Sequence, residues 1–297
     1  MAAKKIPTPT KKAATPAKKR LFVLLARRAH VAVVLRRLPG QWTQLVTWST
    51  RSDSFERGQW LHGRLYERRC DLSPSGDKLI YFVAKHHLQK VDPSYTNAWT
   101  AISRPPYFTA LALWPNGGTT YHGGGLFADE EQVQVNALAH RFAGRERGQC
   151  APPHPKHAPP ARVHLSPLRL LSGDQLFVQR LVRDGWTQTS GPDVTREQTD
   201  WRGGLRRELG TQRLEVEIGH QRLEYTLFAK EKGRFRPREF PAVDWADFDQ
   251  SGRLVFARGE TLRHLPSDDE AGEGTLVASF SGETTARVLT PAHAKKW

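Results

Sequence analysis

The chain is poor in sulfur: its 297 residues include two cysteines and one methionine. Cys70 and Cys150 are too few for a disulfide framework, and a reducing compartment fits that count. Long apolar runs are missing too. No stretch approaches the about 18 residues of a membrane helix. The run Leu21 to Ala26 ends at Arg27-Arg28 and is too short for the core of a secretory signal. The expectation is a soluble, cytoplasmic chain with no membrane span. Sequence motifs of catalysis are absent as well. There is no Gly-x-Ser-x-Gly elbow, no His-Glu-x2-His and no dinucleotide fingerprint. No catalytic residue can be named and no cofactor is expected.

Acidic residues are absent from the first twenty positions, which hold Lys4, Lys5, Lys11, Lys12, Lys18, Lys19 and Arg20. These seven cations are a large part of a formal net charge of +15. Apart from Met1 and Ile6, the segment is otherwise Pro, Thr and Ala. It cannot bury enough apolar surface to offset the entropy of ordering, so residues 1–20 are expected to be a disordered basic tail. Such an arm suits a polyanion: nucleic acid, an anionic surface or an acidic protein partner.

What the chain has in quantity is turn residues and aromatics: 24 Gly, 20 Pro, 9 Trp and 13 Phe. Asp71-Leu72-Ser73-Pro74-Ser75-Gly76 leads through Asp77-Lys78 into Leu79-Ile80-Tyr81-Phe82-Val83. Proline presets φ, glycine accepts a positive φ, and the β-branched and aromatic run is too short for a typical helix. The stretch predicts strand, tight turn, inner strand. A second copy begins at Asp247-Phe248-Asp249-Gln250-Ser251-Gly252 and continues Arg253-Leu254-Val255-Phe256, matching the first with a one-residue offset after the glycine. These hairpins resemble those of WD-repeat-like β-propeller blades, at residues 70–85 and 247–258. The resemblance implies a ring of small antiparallel sheets and a binding or scaffold role. No Gly-His…Trp-Asp signature recurs to extend it.

Further strands are predicted at Val31–Leu35, Trp42–Trp48, Phe108–Trp114 and Leu176–Val182. The alternating pair Leu214–Ile218 and Arg222–Phe228 adds a hairpin. About twelve to fourteen short strands at this spacing read as all-β: propeller-like, or two packed β domains. One short peripheral helix is expected over Asp129–Phe142, where Val133, Ala137 and His140 share a helical face behind an acidic first turn. Strand, turn and Trp-Thr-Gln occur at both Trp42 and Trp186, which suggests related halves. The division expected is a tail at 1–20, a β-rich half at 21–145, a Pro/His-rich linker at 146–162 and a second half at 163–297.

Candidate chemistry is sparse. Cys150, His154 and His157 are metal-type ligands, but prolines interrupt them and no metal site is expected. Gly123-Gly124-Gly125 lacks phosphate-loop spacing, and close strand packing explains it better. Trp99, Arg104 and Tyr107 combine rings with a cation, as single-stranded nucleic acid requires. The leading expectation is thus a non-enzymatic binding or scaffold protein with a basic arm. A nucleic-acid binder using the tail with Trp99, Arg104 and Tyr107 is the alternative. An enzyme built on loops around His86, His87, His122 and Arg104 is a third.

Overall fold

The computed structural model describes residues 18–85, 95–117, 120–137, 151–168, 171–193, 201–219, 222–269, 271–282 and 286–297. Among them the chain is mostly β, with one α-helix. The strands form five sheets, each built from consecutive segments. Sheet one is β1 (Arg20–Leu25), β2 (Val31–Leu38), β3 (Trp42–Ser49) and β4 (Ser54–His62). Sheet two is β5 (Arg64–Leu65), β6 (Asp71–Leu72), β7 (Leu79–Ala84), β8 (Ala98–Ser103) and β9 (Ala110–Pro115). Sheet three is β10 (Gly125–Phe127), β11 (Gln132–Val135) and β12 (His164–Pro167). After the helix α1 (Gly173–Arg183) comes sheet four: β13 (Thr187–Gln188), β14 (Gly203–Leu209), β15 (Gln212–Gly219), β16 (Arg222–Glu231) and β17 (Arg234–Arg238). Sheet five is β18 (Trp245–Phe248), β19 (Leu254–Arg258), β20 (Thr261–Leu265) and β21 (Thr275–Ser279). Among the described residues only β11 and β12 pair in parallel.

The sheets meet through their early strands. β1 lies against β6 on one side and against β18 and β19 on the other, and β6 lies against β10. α1 packs on β10, and β16 packs on β18. One apolar core therefore runs from Leu21 to Phe280 and takes side chains from sheets one, two, four and five and from α1. Both halves of the chain contribute to it. A second cluster joins sheets two and three around Ile80, Trp114 and Phe127. Burying rings of this size supplies much of the apolar area that a chain so rich in charge needs.

Both Asp-led stretches are hairpins. Asp71 pairs with Ile80, and Asp247 with Val255. Gly76 and Gly252 take φ of 82° and 80°, a region open to glycine without strain. The one-residue offset has a structural cause. The first turn closes from Ser73 N–H to the Lys78 carbonyl, the second from Asp249 N–H to the Arg253 carbonyl. The alternating pair is also found: Leu214, Val216 and Ile218 are buried between Glu215 and Glu217.

Two elements correct the sequence reading. The helix expected from Asp129 is a strand over Gln132–Val135. Val133 and Val135 are buried two residues apart, and the Asp129 side chain accepts N–H bonds from Glu131 and Gln132 in a turn. The strand expected at Leu176–Val182 is the helix α1. Ser172 caps it, and Gln175 completes a reciprocal capping box. Helix rather than strand before Trp186 also removes the likeness to the Trp42 hairpin. The helix is not peripheral, since Phe177 and Val178 sit in the main core. Among the described residues the strands, twenty-one in number, outnumber the twelve to fourteen expected, because two-residue strands such as β5 and β6 carry no sequence pattern.

The Pro/His-rich stretch is in part packed rather than free. Ala151 and His154 are buried, and His154 and His157 exchange backbone bonds with Leu113 of β9. The carboxyl-terminal residues return to the first two sheets. Gln59 bonds the Val288 carbonyl and Thr290, Thr109 bonds Thr290, and Lys78 lies against the Trp297 ring. No helix among the described residues is long and apolar enough to cross a membrane.

Candidate binding site

Where β1, β6, α1, β14 and β18 converge, the side chains leave a cavity of about 450 Å³. Its wall carries Val23, Leu24, Leu181, Trp245 and Phe248, and eight charged residues: Arg27, Arg180, Arg183, Arg207, Asp71, Asp184, Asp247 and Asp249. The fold explains how they arrive. Asp71 opens β6 and Asp247 is the third residue of β18, which places both on short strands packed against β1. The last turn of α1 delivers Arg180 and Arg183, where cations complement the helix dipole.

The charges are paired in an ordered way. Arg183 makes a two-pronged contact with Asp71, Nη1 to Oδ2 at 2.6 Å and Nη2 to Oδ1 at 2.8 Å. It also donates to Asp184 from Nε at 2.8 Å and to the Phe127 carbonyl at 2.9 Å. Burial opposes the Arg183 charge, but Asp71 and Asp184 together drive its pKa upward. Asp71 also accepts the Phe127 N–H at 2.7 Å, so one carboxylate joins sheet two to α1 and sheet three. Across β1, Asp247 accepts from Arg207 at 2.6 Å, from its neighbour Phe248 N–H at 2.7 Å and from the Trp186 indole at 3.3 Å. Burial outweighs these partners and pushes the Asp247 carboxyl up. Burial raises Asp184 likewise, against the pull of Arg183. Asp249 holds Arg253, which forks onto Asp53 at 2.8 and 2.9 Å and ties sheet five to sheet one.

Two arginines of the cavity are less fully matched. Arg27 donates to the Phe127 and Ala128 carbonyls at 2.8 and 3.0 Å, and its Nε, 3.9 Å from Asp184, has no hydrogen bond. Burial and the nearby Arg183 lower its pKa. Arg180 is 5% exposed and donates Nη1 to the Cys70 carbonyl. Burial lowers its pKa also. Cys70 itself is an inert thiol, pushed up to about 12 by complete burial.

The residues singled out from the sequence lie elsewhere. Lys4, Lys5, Lys11 and Lys12 fall outside the described residues, as do His86, His87 and Cys150. Lys18 pairs with Asp244 at 3.5 Å, Lys19 with Glu260 at 3.1 Å, and Arg20 with Glu67. Trp99 is not on a loop. It is in β8, partly buried against the main core. Tyr107 is 9% exposed, and its hydroxyl donates to Glu56 at 3.2 Å. This corrects the expectation of an exposed stacking ring: the aromatic body is worth more in the core than in water. Arg104 reaches Asp77 at 3.5 Å, and its backbone carbonyl accepts the Tyr107 N–H at 2.9 Å in a tight turn. His122 gives its carbonyl to Arg69 and Asn116. His154 stacks on Tyr95 at 4.3 Å, and His157 meets the Tyr95 hydroxyl at 3.1 Å. Among the described residues no three metal-type side chains gather. The glycine run is a packing feature: a Cβ on Gly123 would lie 2.2 Å from the Phe82 ring, and one on Gly124 2.1 Å from the Arg69 carbonyl.

Of the cavity, the sequence reading named Asp71, Asp247 and Asp249 as hairpin residues and Arg27 as the end of an apolar run, but assigned none of them to a site. The available signal was Ser172-x2-Gln175 ahead of Leu176, which marks a helix start and sets Arg180 and Arg183 one turn apart. No family model matches the chain, and no curated protein matches it.

Proposed function

We propose that the chain is a non-enzymatic, propeller-like binding protein that holds an anionic macromolecule through its basic amino-terminal arm. The observation that supports this reading is how positive charge is distributed. Within the body, many arginines are committed to carboxylates, as at Arg36–Glu260, Arg37–Glu67, Arg68–Asp174, Arg183–Asp71 and Arg253–Asp53. Even the root of the arm is neutralised, since Lys18, Lys19 and Arg20 meet Asp244, Glu260 and Glu67. Lys4, Lys5, Lys11 and Lys12 precede that root in a stretch without an acidic residue. They are the cations best placed to displace counterions from a polyanion.

The test is a salt titration of binding to single- and double-stranded DNA. The full chain is compared with a full-length variant in which Lys4, Lys5, Lys11 and Lys12 are glutamine. Removing four phosphate contacts lowers the slope of log K against log salt by up to about 3–4. An unchanged slope overturns the reading. Binding that survives in the variant and falls on Trp99→Ala moves the site to the body.

A further inference from the structure

The charged groups of the cavity differ in how they are matched. Arg183 is held by two carboxylates and Arg207 by one, and Asp249 is held by Arg253. Arg180 is the exception. Its one hydrogen bond goes to the Cys70 backbone carbonyl, and no carboxylate lies within ion-pair distance of it among the described residues. Phe22 and Phe177 sit beside the guanidinium, their ring centroids 5.6 and 5.0 Å from it. A guanidinium carries five N–H donors in a fixed fork, so most of Arg180's donor edge is left without a protein acceptor. Its side chain is 95% buried by the protein yet forms part of the cavity wall. A buried, unpaired cation is costly unless something supplies the missing acceptor.

We infer that this cavity is a binding site for a small organic monocarboxylate, with Arg180 as the receiving group. A carboxylate presents two coplanar oxygens that fit the guanidinium fork. The charge is limited to one. The lining holds four arginines and four aspartates, so a dianion would meet carboxylates it could not avoid. The body of the ligand is apolar, because Val23, Leu24, Leu181, Trp245 and Phe248 line the remaining wall. The volume lies within the roughly 300–1,000 Å³ of small-molecule sites. Arg27, a second lining arginine with an unbonded Nε, adds positive charge to the wall. This site is separate from the arm and does not depend on it.

The experiment is calorimetry and tryptophan fluorescence on the full chain, with butyrate as probe and Trp245 as a reporter in the wall. Butyramide is the uncharged control, and inorganic phosphate and sodium chloride are the ionic controls. Butyrate is expected to bind saturably, butyramide not at all, and phosphate more weakly. Arg180→Gln is expected to weaken butyrate by about tenfold or more, and Arg180→Lys by less. Butyrate indistinguishable from chloride or from butyramide overturns the inference, as does full binding by a folded Arg180→Gln. If Arg180→Gln does not fold, the butyrate–butyramide contrast and the Arg27→Gln variant, at a less buried position, decide it. Arg27→Gln is then expected to weaken butyrate several-fold, and no change overturns the inference. The variant lacking the four arm lysines is expected to bind butyrate normally, which keeps failure of the arm distinct from failure of the cavity.

Discussion

The hairpins at Asp71 and Asp247 share a backbone plan and differ in what they fasten. Both carry an aspartate that lines the cavity, turn on a glycine with positive φ, and enter a buried strand. Asp71 takes a fork from Arg183 and an N–H from sheet three. Asp247 takes single contacts from Arg207 and Trp186, both of sheet four or its approach. The turns differ likewise. Ser73 accepts the Lys78 N–H and stays local, whereas Asp249 holds Arg253, which reaches Asp53 in the turn between β3 and β4. One local motif thus serves as a repeated bracket, and the side chains hung on it choose which sheets it joins.

The comparison can be broken most sharply at the aspartates. Asp71→Asn leaves Arg183 with a lost fork in a buried setting and is expected to cost about 3–5 kcal/mol. Asp247→Asn is expected to cost less, roughly 1–3 kcal/mol, because Arg207 retains 27% side-chain exposure and can be rehydrated. Urea midpoints of the two variants check the order, and equal costs would remove the distinction drawn between the brackets.

The glycines give a smaller effect in the same sense. A Cβ on Gly76 would lie 2.7 Å from Cγ1 and 2.9 Å from Cβ of Val31, a stiff β-branched side chain. One on Gly252 would meet only the Leu209 methyl at 3.1 Å, on a side chain 44% exposed. Gly76→Ala is expected to cost about 3 kcal/mol and Gly252→Ala about 1–2 kcal/mol, read from thermal unfolding.

The finest contrast is in pH, and it separates two carboxylates near one hairpin. The Asp247 pKa is raised above the ordinary 3.8 by burial. Its contribution to stability is greatest below 3.8 and falls as pH rises through the raised value, because the unfolded chain ionises first. The Asp53 pKa is lowered, chiefly by its hydrogen bonds from Arg253. Its contribution is present above 3.8 and is lost as pH falls through the depressed value. Asp247→Asn is therefore expected to cost more near pH 4 than near pH 7. Asp53→Asn is expected to show the opposite trend in denaturant titrations at the two pH values.

Much of the β architecture was legible because it is written at short range. Gly76, Gly252 and the alternation at Leu214, Val216 and Ile218 depend on neighbours a few residues away. The helix was not, since Leu176–Val182 is apolar enough to pass for a buried strand. Its cap, Ser172 with Gln175, decides for the helix only with a main core ready to bury Phe177 and Val178. The reverse error at Asp129 has the same origin. Val133 and Val135 become a strand because β10 and β12 are there to pair with them. The Trp99–Tyr107 reading failed in part for want of burial, which sequence does not report. Tyr107 gives its hydroxyl to Glu56, a residue of another sheet.

By itself, then, the sequence determined the turn positions, the predominance of strands and the charge of the arm. Each follows from backbone sterics or from a formal count. Only the tertiary structure decided which arginine meets which aspartate, and so which guanidinium is left with open donors. Arg180 and Arg183 are three residues apart on one helix, yet among the described residues Arg183 is matched by two carboxylates and Arg180 by none within ion-pair distance. That difference is set by distances to Asp71 and Asp184 of a few ångströms. The interaction between charges in a poorly polarisable interior changes steeply over such distances, and no spacing along the chain encodes them.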